Sequence, residues 1–484
     1  MAEGDIARLF HRLTSHAPEG RADLWAGPAD DPWVVTSFEP NDLDIQPPLA
    51  KEFSPELPRL LLPRDFPSPD AGTLAVLAGQ AQGEGTLDLA QVARLLHLSA
   101  GIVRTETRPG GRVVPFRAAG SAGARFPQEI YVAVPTRTAD LQPGVHAYQP
   151  VEHALVQVGP PPAGDAPAII VTGVPWRTGW RYRERGYRHI FWDSGTMLSQ
   201  LLALAASAGL PCRLYTEFPD MEVRDLVGAN GIDEFPIAVV AVGEGAPGWT
   251  PSERAAAGSV ADDPVHFPLV TATHWAGIST RWGEPWPQSD PLPAPLPDSP
   301  PVNDVIYQRG STRRMDPSRS VPREFLETAL AVALRGIDLP HFLAVHAVDG
   351  VPPGLYRWPD LASPARRDDL RAELERLALA QGLAGDAAFV VVTAADLNSI
   401  SDRRYRELQL AAGLVEGRLH LAAFALGYGA SGMTFLDSDI PEFLKEDLQA
   451  MIFTCVGVPT YANRPGGSPG EPVRVRRVEP RVED

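Results

Sequence analysis

Residues Arg309-Gly310-Ser311-Thr312-Arg313-Arg314-Met315 decide how this chain is read. Arginines flank a hydroxyl run, after the proline-rich stretch 291–301 and before Asp316-Pro317-Ser318. From Val321 to Arg335 apolar residues recur at helical spacing, so the cluster is a loop or short turn leading into a helix. Arginine forks and hydroxyls converging on one point suit a phosphate, which takes several donors at once. Taken alone, the same residues also make a solvated basic loop.

The rest of the chain narrows the choice. At 484 residues it is long enough for two or three domains with ample cores. Hydrophobic content of 44% and charge of 21% are those of a soluble globular protein. No run of about 18 apolar residues occurs, so no membrane span is expected. The start Met1-Ala2-Glu3-Gly4-Asp5 lacks the basic-then-apolar pattern of a secretory signal. Cys212 and Cys455 sit far apart in apolar segments and read as free thiols of a cytoplasmic protein, without metal spacing. The net charge of −17 argues against nucleic acid and against an anionic membrane surface. Lysine is confined to Lys51 and Lys445.

Residues 1–72 form an arm, with a helix expected over Ile6–Ser15 and Leu60-Leu61-Leu62 as an anchor. Residues 73–245 form a first packed domain, 246–303 a Pro/Trp-rich linker, and 304–484 a second domain with a basic tail. In the first domain a helix is expected over Leu87–Leu98 and strands at 130–134, 144–148, 153–158, 168–172 and 236–242. Phe191 to Ala208 reads as a long, nearly all-apolar and therefore central helix.

Internal matches connect the two domains. Pro143-Gly-Val-His-Ala-Tyr148 matches Pro353-Gly-Leu-Tyr-Arg-Trp358, and 163–172 matches 384–393. Tyr187-Arg188 matches Tyr405-Arg406, Gly195 matches Gly413, Gly209 matches Gly427, and Thr216 matches Thr434. The order and separations are kept, which predicts two copies of one α+β domain.

Arg309, Ser311, Arg313 and Met315 resemble the flavin-phosphate signature Arg-x-Ser-x-Arg/Lys-x-aromatic of the nitroreductase fold, with Met315 in place of the aromatic residue. The first copy adds Arg117-Ala-Ala-Gly-Ser121-Ala122-Gly123-Ala-Arg125-Phe-Pro127, then Glu129-Ile-Tyr-Val132 and Pro143-Gly-Val-His-Ala-Tyr148. These resemble the Arg-x-x-Pro-Ser-Ala-Gly-Ala-Leu-Tyr-Pro run and its sequel in SagB-type dehydrogenases, which are nitroreductase-fold flavoproteins. Gly120 stands for proline and Arg125 for leucine. Small residues at 121–124 also make independent sense, since they let backbone approach a flat ring.

The resemblance implies two fused nitroreductase-like, FMN-dependent domains forming an intramolecular pseudo-dimer, with the long helices 191–208 and 410–426 at its centre. It implies an FMN held by Arg309, Ser311, Arg313 and Arg464 on the phosphate side. Arg117, Ser121, Ala122 and Gly123 would lie at the ring, and Met433, Thr434 and Phe435 along its N5 edge. The first copy lacks the basic motif (Leu77 to Glu84) and the second lacks the small-residue loop (Leu334 to Pro340), so one FMN per chain is expected. The implied function is an oxidoreductase dehydrogenating a peptide or natural product. The alternatives are an NAD(P)H-dependent nitro or quinone reductase, and a non-catalytic scaffold for biosynthetic partner proteins.

SagB-type azoline oxidation often uses an adjacent Lys-Tyr pair, absent from this sequence. Tyr215, Glu217 and His189 are the substitute candidates for a base. Gly243-Glu-Gly-Ala-Pro-Gly248 fits Gly-x-Gly-x-x-Gly, but Pro247, Pro251 and the lack of a following long helix argue against a dinucleotide fold. Asp193 and Ser194 lack the Gly-x-Ser-x-Gly elbow of a nucleophile. His146, His189, His341, His346 and His420 are scattered, and each reads as structural before it reads as catalytic.

Overall fold

The computed structural model describes residues 3–17, 45–81, 83–108, 110–138, 140–245, 247–293, 295–476, 478 and 479. Helix α1 (Asp5–Leu13) opens the chain, and strand β1 (Arg59–Leu61) follows in the arm. Leu62, not Leu61, is the buried anchor of the leucine triplet. Helix α2 (Leu89–Ala100) is capped by Asp88, whose carboxylate accepts from the Gln91 amide at 2.7 Å. It leads into β2 (Ile102–Thr107) and β3 (Val113–Arg117).

Strands β4 (Gln128–Val134), β5 (Gly144–Gln149), β6 (Ala154–Gly159) and β7 (Ala168–Gly173) then form antiparallel pairs. Helices α3 (Pro175–Tyr182) and α4 (Gly186–Ser207), then β8 (Cys212–Tyr215) and β9 (Phe235–Val242), complete the first half. The seven-stranded sheet runs β1-β6-β5-β4-β7-β9-β8.

Residues 246–303, expected as a Pro/Trp-rich linker that partly packs on the surface, are tied to the first half at several points. Trp249 is fully buried, its indole N–H donating to the Ala166 carbonyl at 2.6 Å. Helix α5 (Pro268–Ala276) buries Val270, Thr273 and His274. The proline-rich end lies along the first half: Thr73 donates its amide to Pro300 and Gln80 its side chain to the Leu292 carbonyl. Tryptophans and prolines mask this packing because their pattern has neither helical nor strand period.

Helices α6 (Val302–Gln308) and α7 (Arg323–Leu334) bracket the basic motif. Strands β10 (His341–Val345), β11 (Gly354–Arg357) and β12 (Phe389–Ala395) precede the long helix α8 (Asp402–Ala425). Ser401 caps α8 by accepting from the Arg404 amide at 3.0 Å. Strands β13 (Gly429–Met433) and β14 (Gln449–Gly457) close a sheet ordered β11-β10-β12-β14-β13. That order repeats the β5-β4-β7-β9-β8 core of the first sheet, strand for strand along the chain. Tail strand β15 (Val473–Val475) crosses back to pair in parallel with β2.

Helices α4 and α8 make the most extensive contact between elements among the described residues. Both start earlier than the apolar pattern alone indicates, because Arg188 in α4 and Arg403 and Arg406 in α8 interrupt that pattern near the helix starts. Each ends before a glycine in the left-handed region, Gly209 (φ 66°) and Gly427 (φ 81°), where a side chain would be strained. No helix is long and apolar enough to cross a membrane among the described residues.

Candidate active site

Where α4 and α8 cross, the basic motif of the second half meets the small-residue loop of the first. Arg309 leaves the end of α6 in extended conformation and is 3% exposed. Its Nη1 donates to the Ala118 carbonyl at 2.6 Å and to Gln200 Oε1 on α4 at 2.9 Å. A Cβ placed on Gly120 would stand 3.4 Å from Arg309 Nη2, 3.5 Å from Thr196 Cγ2 and 3.6 Å from Ser311 Oγ. Ser311 is exposed, and Thr312 donates its amide to Ala430 on β13. The Arg313 amide donates to Tyr461 Oη at 2.9 Å. Met315 is buried against the Pro459 turn, filling the place of the signature's aromatic residue.

Burial pushes the Arg309 guanidinium down to about 10; neighbouring Arg104 adds to this and Glu416 opposes it. Arg104 donates to the carbonyls of Arg464 and Tyr307. Arg464 thus lies beside the motif through its backbone, while its own guanidinium turns to the Arg474 carbonyl at 3.0 Å.

Asp193 of α4 fixes the small-residue loop. Ser121 Oγ donates to Asp193 Oδ2 at 2.5 Å and accepts from the Phe126 amide at 2.8 Å. The Ala122 amide donates to Asp193 Oδ1 at 2.9 Å. Burial pushes this carboxyl up to about 8, against the two hydrogen bonds and with help from Glu416. Gly123 is left-handed (φ 58°), and a Cβ there would strike Arg181 Cδ and Tyr182 Oη, each at 2.8 Å. Arg117 braces the loop from behind, donating to the carbonyls of Gln128 and Leu49.

From the second half, Met433 ends β13 opposite Phe453, and Phe435 is fully buried in a stack on Phe453. Thr434 Oγ1 accepts from Arg185 Nη2 at 3.2 Å. Glu416 of α8 sits below Gly432, whose added Cβ would fall 2.3 Å from Oε1. Thr196 Oγ1 lies 3.4 Å from Glu416 Oε2, and His420 Nε2 lies 3.6 Å from Oε1.

Of the three candidate bases, His189 joins this group. It is 3% exposed, stacked on Tyr182 at 4.0 Å and edge-on to Trp192 at 4.6 Å. Tyr215 and Glu217 lie elsewhere: Tyr215 packs against Trp282, and Glu217 accepts from Ser279 and Arg281. Sequence reading missed Thr196, Gln200 and Glu416, which lie inside helices whose pattern reads as core. It also missed Arg104, which lies in a strand far from the motif.

A Lys-Tyr pair does exist in space, with Lys51 Nζ 3.0 Å from Tyr131 Oη. It is buried with Glu234 on the outer face of the first sheet, whereas Ile130 and Val132 face the helices. It therefore offers no proton to this site.

The residues fit an anionic, flat cofactor such as FMN. Arg309 Nε and Thr312 Oγ1 are buried without a hydrogen-bond partner among the described residues. Ser311 Oγ lies near Gly120 and Arg104 lies near Arg309, which adds donors of the kind that suit a phosphate.

Residues 88–244 match the family model described as Nitroreductase family. A Methanocaldococcus jannaschii protein provisionally named a nitroreductase is 28% identical over 172 residues, which is 32% of this chain and 81% of that protein. A crystal structure from Anabaena variabilis, also provisionally named a nitroreductase, aligns with a TM-score of 0.70 and 25% identity. The alignment covers 94% of this chain and 99% of that one. The chain therefore carries a nitroreductase-family domain and a mixed helix-and-sheet, nitroreductase-like fold.

Proposed function

We propose that the protein is an FMN-dependent oxidoreductase with one flavin held between its two halves. The observation that carries this is the meeting of Gly120 with Arg309 and Ser311 across the halves. The repeated strand order and the likeness over almost the whole chain support reading the halves as two copies of one fold in an intramolecular pseudo-dimer. In that reading the arm is 1–72, the first copy 73–245, the linker 246–303 and the second copy 304–484.

Arg309, Ser311 and Arg313 would take the phosphate, with Arg104 beside them. Ser121, Ala122 and Gly123 would border the ring from one side, and Met433 to Phe435 from the other. FMN would supply the two-electron chemistry. The protein's own part is to exclude water and to hold donors in place. Asp193 keeps the 121–122 turn rigid, and Glu416 balances Arg309.

Substrate dehydrogenation, the activity implied by SagB-type resemblance, and reduction of a nitro compound or quinone at the expense of NAD(P)H use the same site. The names of the relatives favour the reductase. The test is anaerobic: NADPH or NADH bleaching the flavin supports the reductase, and bleaching by substrate alone supports the dehydrogenase. A protein that retains no FMN after reconstitution would sink both readings and leave the scaffold. Arg309→Ala, by removing charged hydrogen bonds worth about 1.5–3 kcal/mol each, should weaken FMN retention at least tenfold.

A further inference from the structure

The two halves differ in one corner. On α8, Glu407 accepts from Thr216 Oγ1 at 3.1 Å and from Arg404 Nη1 at 2.9 Å. Thr216 is the counterpart of Thr434, and Tyr405 and Gly413 on α8 are the counterparts of Tyr187 and Gly195 on α4. The same offset places His189 where Glu407 stands. So one half has a carboxylate beside its threonine, and the other half has a histidine at the matching place in its helix.

The corner without the acid is rich in donors. Both ring nitrogens of His189, and Arg185 Nε, are buried and lack a hydrogen-bond partner among the described residues. Arg185 reaches Thr434 with its Nη2. The nearby acid Asp437 is already engaged by Arg185 and Arg188. Burial holds His189 well below its usual range, and Arg185, His16, Arg188 and Arg181 add to this.

On the loop side, Arg125 is 6% exposed, with its guanidinium 4.7 Å over the Trp180 ring and its Nε on the Gly123 carbonyl. Burial lowers it to about 10, and the cations Arg181, Arg108 and Arg112 lower it further. No carboxylate pairs with it among the described residues, in a chain of net charge −17. Tyr182 joins the two sides, stacked on His189 and close to Arg181 and Arg125. A buried cation without a counter-ion is costly, and a fixed arginine fork beside a neutral imidazole donor matches the two oxygens of a carboxylate.

We infer that this corner, formed by His189, Arg185 and Arg125 beside Thr434, binds a carboxylate, so that the compound presented at the site is an organic acid. The ligand carboxylate would supply, beside His189, the negative charge that Glu407 supplies in the other half. The term "substrate" rests on the flavin reading, but the anion site is a property of the chain with or without FMN.

Titration calorimetry of the full-length protein with sodium benzoate and with benzamide, in the presence and absence of FMN, tests this. The two probes share a shape and differ in charge. Benzoate should bind at least tenfold tighter than benzamide. Arg125→Leu should remove most of that preference. So should His189→Glu, which restores the internal carboxylate of the other corner; melting curves show whether either variant is folded. Equal affinities in the wild-type protein, or binding of neither probe, overturn the inference without reference to any variant. Benzoate preference in a protein that never retains FMN would sink the flavin reading alone. FMN retention without benzoate preference would sink this inference alone.

Discussion

Asp437 and Arg188 form a buried ion pair at 2.6 Å between the second half of the chain and helix α4 of the first. Arg185 holds the other carboxylate oxygen at 2.8 Å. The same arrangement occurs in reverse, with Asp220 of the first half taken by Arg403 at 2.5 Å and Arg406 at 3.2 Å on α8. Each half thus supplies the acid for the other's helix start. These pairs orient the halves by charge, in addition to the apolar contact between the helices.

Breaking one of them should be expensive. Asp437→Asn would leave two buried guanidinium groups with their counter-charge removed, a loss of about 3–5 kcal/mol. Burial alone would raise the Asp437 carboxyl, but Arg185 and Arg188 outweigh it and hold the group well below its usual range. A depressed folded pKa gives stability that is full above the unfolded value, about 3.9. It is lost as pH falls below that value. Urea midpoints measured from pH 6 down to pH 3 should fall steeply for the wild type and less steeply for Asp437→Asn.

Asp193 should behave in the opposite sense. Its folded pKa is raised to about 8 by burial. Over the range from its unfolded value to pH 8 the folded chain holds the extra proton, so this group makes stability fall as pH rises. Asp193→Asn keeps an acceptor for the Ala122 amide and removes that titration. Between pH 4.5 and pH 8.5 the variant should gain about 4 kcal/mol on the wild type. Parallel stability profiles for the two proteins over that range would contradict the assignment.

The helix crossing itself is set by glycines. A Cβ on Gly413 would lie 2.3 Å from the Trp192 carbonyl oxygen, and one on Gly195 would lie 2.5 Å from that of Leu410. Both contacts are to backbone, which cannot swing aside. Gly413→Ala therefore forces the helices apart, at about 1–3 kcal/mol. That exceeds the roughly 1 kcal/mol that alanine gains as a helix former. Thermal denaturation should show a lower midpoint for Gly413→Ala, while alanine at Gly350, where nothing lies within 4 Å of an added Cβ, should leave the helix contact intact.

These cases show what a single sequence discloses. The match of Gly195 with Gly413 was legible because both helices need a glycine there, but that the helices cross at these residues was not. Tyr187-Arg188 and Tyr405-Arg406 matched for the same reason. Their acids did not stand out, because Asp220 and Asp437 belong to the opposite half and no local spacing links them to the arginines. Arg309 and Ser311 could be read from their spacing within one loop. Asp193, Thr196 and Glu416 could not, since a polar residue in a buried helix acquires its role only from the loop that packs on it. The Arg464 side chain depends on β15, a three-residue strand whose partner lies more than 350 residues earlier.

Fully reconstituted protein should release one FMN per chain. The complete set of donors and small residues combines Arg309, Ser311 and Arg313 with Gly120 to Gly123. The reverse combination would need a basic motif near Leu77 to Glu84 and a small-residue loop near Leu334 to Pro340. Those two segments touch directly. Arg335 Nε donates to the Leu77 carbonyl at 3.0 Å, and its Nη1 donates to the Ser289 carbonyl at 2.7 Å. An added Cβ on Gly79 would meet the Arg335 guanidinium at 2.7 Å. In the proposed reading, the place of a second ring is taken by an arginine side chain and the segment around Ser289. Glu407 fills the corner beside Thr216 as well. Flavin absorbance of the released cofactor, set against amino-acid analysis of the same sample, measures the ratio. A ratio of two would show that Arg335 can be displaced and that both halves carry a site; Arg335→Ala alone should not raise the ratio above one, because the arginine motif is still missing from the first half.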